Sequence, residues 1–180
     1  MSSSQSNNFE DVLDMARTLL SGNEEPADLW EANELVSSAL RMRPAEAEAW
    51  LLKCQILSSL DDDTAALAAA EMALRRAPKS SEVHYWRAAI LSDLERYTDA
   101  LRSLDRAFRY LGADDDWLVE DLYCEKAMTQ DAAGNVDEAV RTYESGIERC
   151  PDSALLRAAI EPLRRDSLRA RLKVIPGGLR

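Results

Sequence analysis

The chain has 180 residues, 46% of them hydrophobic and 31% charged, which is enough length and apolar content for one domain with a core of its own. Its net charge of −11 and pI of about 4.6 work against binding phosphate backbones or anionic membranes, so nucleic-acid and membrane partners are not expected. The three cysteines, Cys54, Cys124 and Cys150, follow no CxxC spacing, and the longest apolar run, AALAAA at 65–70, is far too short to span a bilayer.

In chain order, "MSSSQSNN" is polar, without a basic n-region or an apolar stretch, so we expect a disordered segment at 1–8 and a cytoplasmic protein. Apolar residues at helical spacing predict helices over 9–21, 27–42, 45–59, 63–76, 80–93, 97–111, 116–132 and 136–149. The aspartates of "GADDD" (112–116) precede a helix start, where carboxylates suit the positive end of the macrodipole. After Pro151, residues 152–173 predict a ninth helix, kinked or split at Pro162, and "VIPGGLR" (174–180) a flexible basic tail. Residues 157–180 carry seven basic side chains against Glu161 and Asp166, so this segment is +5 and the rest of the chain −16. Such asymmetry marks an interaction tail or a self-docking one.

The helices come in pairs that repeat. Aligned on Pro78 and Pro151 as position 32, Trp50 and Tyr123 share position 4, Cys54 and Ala127 position 8, Ala66 and Ala139 position 20, and Ala73 and Gly146 position 27. Shifts of 34 residues extend the register to Ala88, Ala100, Ala107 and Gly112, and back to Ala32, Ala39 and Pro44. Four units follow, 13–46, 47–80, 81–112 and 120–151, with the last step lengthened to 39 by "GADDD". Small residues at 8, 20 and 27 let helices approach closely, and proline at 32 cannot continue a helix. No unit can bury its apolar face alone, so stacking supplies the core, and the ninth helix is expected to cap the last unit.

This pattern resembles the tetratricopeptide repeat (TPR) family over about residues 9–151. The resemblance implies an all-α fold, a TPR-type α-solenoid of antiparallel helix pairs in a right-handed superhelix. Unit 1 departs from the pattern, with Ala16 at position 4 and Leu20 at position 8; unit 3 has His84 at position 4.

Little in the chain suggests catalysis. The single histidine, His84, stands at a packing position with no nucleophile or carboxylate singled out as its partner. No phosphate loop, dinucleotide fingerprint, calcium loop or metal-ligand pair is present, so we expect no enzyme, no metal and no cofactor. By resemblance, the first helices of the units line a concave groove through positions 2, 5, 9, 12 and 13. Those positions supply a candidate peptide-binding floor of Leu51, Gln55, Tyr85, Ala89, Cys124 and Met128 and an acidic rim of Asp14, Glu48, Glu82 and Asp121. The rim has two readings: first-turn acids that suit any helix dipole, or carboxylates that select a basic segment. The basic residues of a family clamp for acidic tails are missing, and Leu51 and Met128 could instead be packing residues.

The expected function is therefore a non-enzymatic adaptor holding a partner's apolar, basic-flanked peptide or helix. Two alternatives stay open. One is a chaperone like the class II chaperones of type III secretion; the other is a self-assembling scaffold, for which a homodimer is the simplest form. The tail at 174–180, with Lys173 and Arg180 around apolar residues, is itself a ligand of the expected type and could compete for the groove.

Overall fold

The computed structural model describes residues 3–22 and 25–174, with side chains described within 9–165. Among them all regular structure is helical: α1 (Ser3–Leu20), α2 (Pro26–Met42), α3 (Ala47–Ser59), α4 (Asp63–Leu74), α5 (Ser81–Asp93), α6 (Tyr97–Tyr110), a 3-10 helix (Ala113–Leu118), α7 (Val119–Ala132), α8 (Val136–Arg149) and α9 (Ala154–Val174). The helices pack as the pairs α1/α2, α3/α4, α5/α6 and α7/α8, each pair against the next and α9 against α8. This is an all-α solenoid of stacked helix pairs.

The repeat register explains the packing. Ala32, Ala66, Ala100 and Ala139 at position 20, and Ala39, Ala73 and Ala107 at position 27, have no exposed surface. Gly146 completes that set for a steric reason: a Cβ there would lie 2.8 Å from Tyr123 Cβ and 3.0 Å from Leu156 Cδ1. Position 4 has a polar duty as well as a packing one. Trp50 Nε1 donates to the Pro44 carbonyl at 2.9 Å, and His84 Nε2 lies 3.1 Å from the Pro78 carbonyl. Both rings thus reach back to position 32 of the preceding unit, and His84, buried and stacked on Tyr110, serves as a structural substitute for tryptophan.

Position 15 turns each first helix into its second. Asp61, Glu95 and Gly134 all have positive φ, at 58°, 57° and 82°. The following amides, Asp62, Arg96 and Asn135, then bond back to the carbonyls of Leu57, Leu91 and Gln130, closing the helix ends in Schellman fashion. Asp62 and Ser80 accept from the amides of Ala65 and Val83 and so cap α4 and α5.

The structure differs from the sequence expectations in three places. Helix α1 starts at Ser3, inside the segment expected to be disordered, because extending a helix already anchored by Phe9, Leu13 and Ala16 costs little per residue. The "GADDD" insertion forms the 3-10 helix rather than the start of α7, and it delivers Leu118 to a core cluster with Ala88, Leu104, Ala107 and Leu122. Helix α9 is not split at Pro162, which stands inside it; one lost backbone hydrogen bond is offset by burying Leu156 and Ile160 against Ala139 and Tyr143. Of the expected tail, Val174 ends α9 and 175–180 lie outside the described residues.

Candidate functional site: the inner face of the first helices

The odd-numbered helices α1, α3, α5, α7 and α9 approach one another directly in succession, whereas the even ones show no comparable approach. The odd helices therefore form the tighter, inner layer, and their outward-turned residues line one continuous face.

Position 5 and position 9 residues behave differently along this face. Leu51 is a correction: it is buried, packed with Ala73 and Val83, so it belongs to the core between units and offers no floor for a ligand. The α3–α5 crossing covers it. Gln55 is half-buried and donates to Glu82 Oε1 at 3.4 Å. Tyr85 and Ala89 on α5 are half-buried, as is Cys124 on α7, while Met128 is 55% exposed. Cys124 Sγ lies 3.7 Å from Met128 Sδ, so the two sulfurs form one soft apolar surface on α7.

The carboxylates divide into two groups. At the N-terminal end, Arg17 pairs with Asp14 at 2.8 Å and also with Glu48, offsetting half of the charge of those two acids. Towards the C-terminal end, among the described residues, Glu82 and Asp121 have no ion pair. Glu82 is held above the ordinary carboxylate range by burial and then by the charge of Asp115, against the hydrogen bond from Gln55. Asp121 is raised by burial and then by Glu120. Two further acids, not expected from the sequence, join them. Asp93 is raised by burial, then by Asp63 and Asp61; Glu125 is raised by burial and by Asp93, against the Thr129 hydroxyl that donates to it. Among the described residues neither Asp93 nor Asp121 has an ion pair. Burial lifts the Tyr85 phenol well above its usual value, with Asp121, Glu125 and Cys124 adding to the effect.

Position 13 faces the groove by the repeat pattern, which gives a signal for Asp93. Glu125, at position 6, carries none; its place in the site follows only from how unit 4 docks on unit 3. Thr129 Oγ1 to Ser92 Oγ, 3.3 Å, is part of that docking.

The remaining reactive groups are structural. Cys54 is fully buried and its thiol is pushed up to about 12 by burial. Burial lowers the His84 pKa, which keeps the ring neutral. Among the described residues no group of three or more His, Cys, Asp and Glu could hold a metal, and no helix is long and apolar enough to cross a membrane. A separate cleft of about 580 Å³ lies between α6, α7 and α8, with Phe108, Tyr123 and Lys126 in its wall. Its Lys126 is already paired with Asp105 at 2.8 Å.

A solenoid of helix pairs with an inner face of this kind defines the class of helical-repeat proteins. Within it, residues 120–153, the fourth unit, match the Tetratricopeptide repeat family model. Solved structures agree on the fold. TTC0263, a thermophilic TPR protein in Thermus thermophilus, superposes with a TM-score of 0.72 at 19% identity over 86% of this chain and 80% of that one. The MamA protein gives 0.70 at 17% identity over 93% and 90%. YrrB, described as a TPR protein with an unusual peptide-binding site, gives 0.62 at 18% identity over 73% and 65%. No curated protein sequence matches the chain.

Proposed function

We propose that the protein is an adaptor whose inner face holds a segment of another protein, with Tyr85, Ala89, Cys124 and Met128 as its apolar floor and Glu82, Asp93, Asp121 and Glu125 as its acidic border. TPR domains bind proteins or peptides as a class, and members are as a rule scaffolds without catalytic activity. The observation that carries the finer reading is the joint placement of an exposed Met128 and carboxylates without a cation on the α5–α7 face. That face takes an amphipathic segment whose apolar side chains meet Tyr85 and Met128 while lysines or arginines meet the acids. The likeness to YrrB lends support to peptide binding as such, at the level of the fold.

The test compares labelled synthetic helical peptides with leucine anchors and either lysine or glutamate flanks, by fluorescence anisotropy. The lysine peptide should bind, with affinity falling as salt rises, and Met128→Asp or Tyr85→Ala should weaken it without loss of helical circular dichroism. Equal affinity for the glutamate-flanked peptide would refute the acidic border. Variants that unfold would return Tyr85 to the core.

A further inference from the structure

Helix α9 occupies the place where a fifth unit would begin, with Ala154 at position 1. In units 2, 3 and 4 the first helix turns at position 15, through Asp61, Glu95 and Gly134. The corresponding residue here is Leu168, and α9 runs on through it to Val174. At about 1.5 Å per residue, the seven residues 168–174 carry the helix about 10 Å past the level at which the preceding first helices turn back.

The sequence of that extension, "LRARLKV", is unlike the rest of the chain. It holds Arg169, Arg171 and Lys173 and no acid, with Leu168 and Leu172 four residues apart, the spacing of one helix face. A chain of net charge −11 thus carries, at the end of α9, a helical extension, or spike, whose sequence is basic and contains leucine. Its chemistry complements the inner face of α5 and α7, where Met128 is exposed and Glu82, Asp93, Asp121 and Glu125 have no cationic partner among the described residues. A continuous helix packed against α7 and α8 cannot turn back onto α5, so the complementary groove its end can reach belongs to a second molecule.

We propose that the protein self-associates head to tail, the 168–174 extension of α9 from one copy lying on the α5–α7 inner face of the next. This rests on the groove reading above but adds a named occupant. The contact is heterologous, joining two different surfaces, so each copy added leaves a free spike and a free groove unless the series closes into a ring, and the assembly grows with concentration. The same contact makes the spike a competitor of any partner segment, and it is weakened by salt because both surfaces are solvent-facing.

Sedimentation equilibrium of the full chain tests the proposal at roughly 100 µM in low salt and again at about 0.5 M salt. The expected result is a mass above the monomer that rises with concentration and falls in high salt. Arg169→Glu/Arg171→Glu/Lys173→Glu and Asp121→Lys/Glu125→Lys should each weaken self-association about tenfold or more. Mixing these two variants should restore a mixed complex, because one now carries an acidic spike and the other a basic groove. A monomeric wild-type chain at low salt, or a groove variant that associates like wild type, would overturn the proposal. So would a monomer whose spike instead binds phosphatidylserine vesicles and loses them on charge reversal. Peptide binding by the spike-reversed variant, measured at about 1 µM where association is negligible, separates the two readings. If it binds the lysine-flanked peptide while the wild type fails to self-associate, only the head-to-tail contact is wrong.

Discussion

Replacing Gly146 with alanine sets two well-known effects against each other. On an exposed helix the change would stabilise by about 0.8–1.0 kcal/mol, because alanine loses less backbone entropy than glycine. Here the added methyl would lie 2.8 Å from Tyr123 Cβ and 3.0 Å from both Tyr123 Cγ and Leu156 Cδ1. Carbon atoms pack comfortably at about 3.5–4.0 Å, so α7 or α9 must move by several tenths of an ångström. Tyr123 offers its Cβ, which is fixed to the backbone, so rotation of a side chain cannot relieve the clash. Overpacking of this kind costs roughly 1–3 kcal/mol, which exceeds the propensity gain over most of its range. The expected outcome is a net loss of up to about 2 kcal/mol, or several degrees of melting temperature at about 2–4 °C per kcal/mol. Hydrogen exchange should place the loss in α7, α8 and α9, since a solenoid unit couples mainly to its neighbours. Ser145→Ala, one residue away and exposed, should stay within about 0.5 kcal/mol. A Gly146→Ala protein that melts higher than wild type would refute the close packing of the fourth unit on the cap.

Three further outcomes follow from individual residues. Glu95→Gly should stabilise by up to about 1 kcal/mol in urea titrations, because Glu95 holds a φ of 57° that costs a side chain energy and glycine none. Cys54 should resist thiol reagents in the native protein while Cys124 and Cys150 are modified, since Cys54 is fully buried and its thiol is pushed up to about 12; modification of Cys54 at the rate of the other two would contradict its burial. Asp93→Asn should stabilise by a few tenths of a kcal/mol at pH 7, as it removes repulsion from Asp63 and Asp61 and an unfavourable charge at the end of α5. The folded pKa of Asp93 lies above its unfolded value, so the wild-type carboxyl takes up a proton on folding as pH falls through the folded pKa, and the advantage of the variant should fade there.

How much of this was legible in the sequence depends on whether a residue's duty repeats. Small residues at positions 8, 20 and 27 recur because every unit has the same close approaches, so Ala66, Ala107 and Gly146 could be placed before any coordinates. The positive-φ turn repeats as well, but only Gly134 announces it; Asp61 and Glu95 carry no glycine and left the shared geometry hidden. Leu51 was misplaced for a related reason. A position number fixes the direction of a side chain from its helix, yet whether that direction meets solvent or the next helix depends on the crossing of α3 and α5. Helix α9 was legible as a cap over 152–173, and it runs through Pro162 as one element because the local cost of proline is smaller than the gain from burying Leu156 and Ile160.

The acids at position 2 show why the two readings of the rim could not be separated from the sequence. Helix dipole and groove recognition both place an acid in the first turn, and Glu48, Glu82 and Asp121 satisfy either, whereas Asp14 falls in the middle of α1 because that helix begins at Ser3. Surroundings separate them. Asp14, well inside α1, and Glu48, in the first turn of α3, are largely exposed and share Arg17, a residue of the degenerate first unit, so ion pairing within the chain already engages both. Glu82 and Asp121 are partly desolvated and face other carboxylates, a placement that a favourable first-turn charge alone would not require. Desolvating a charge without a partner is costly, and the cost is recovered when a cation arrives. The proposed binding face is therefore drawn on units 3 and 4, and the proposal leans as much on Asp93 and Glu125, which come from different units, as on the repeating acids. An ion pair between a ligand lysine and Asp121 or Glu125 would lie beside Tyr85, whose ring excludes water from one side. Such a pair is worth more than an exposed one, so exchanging that lysine for glutamine should cost more affinity than the same exchange opposite Asp14 or Glu48.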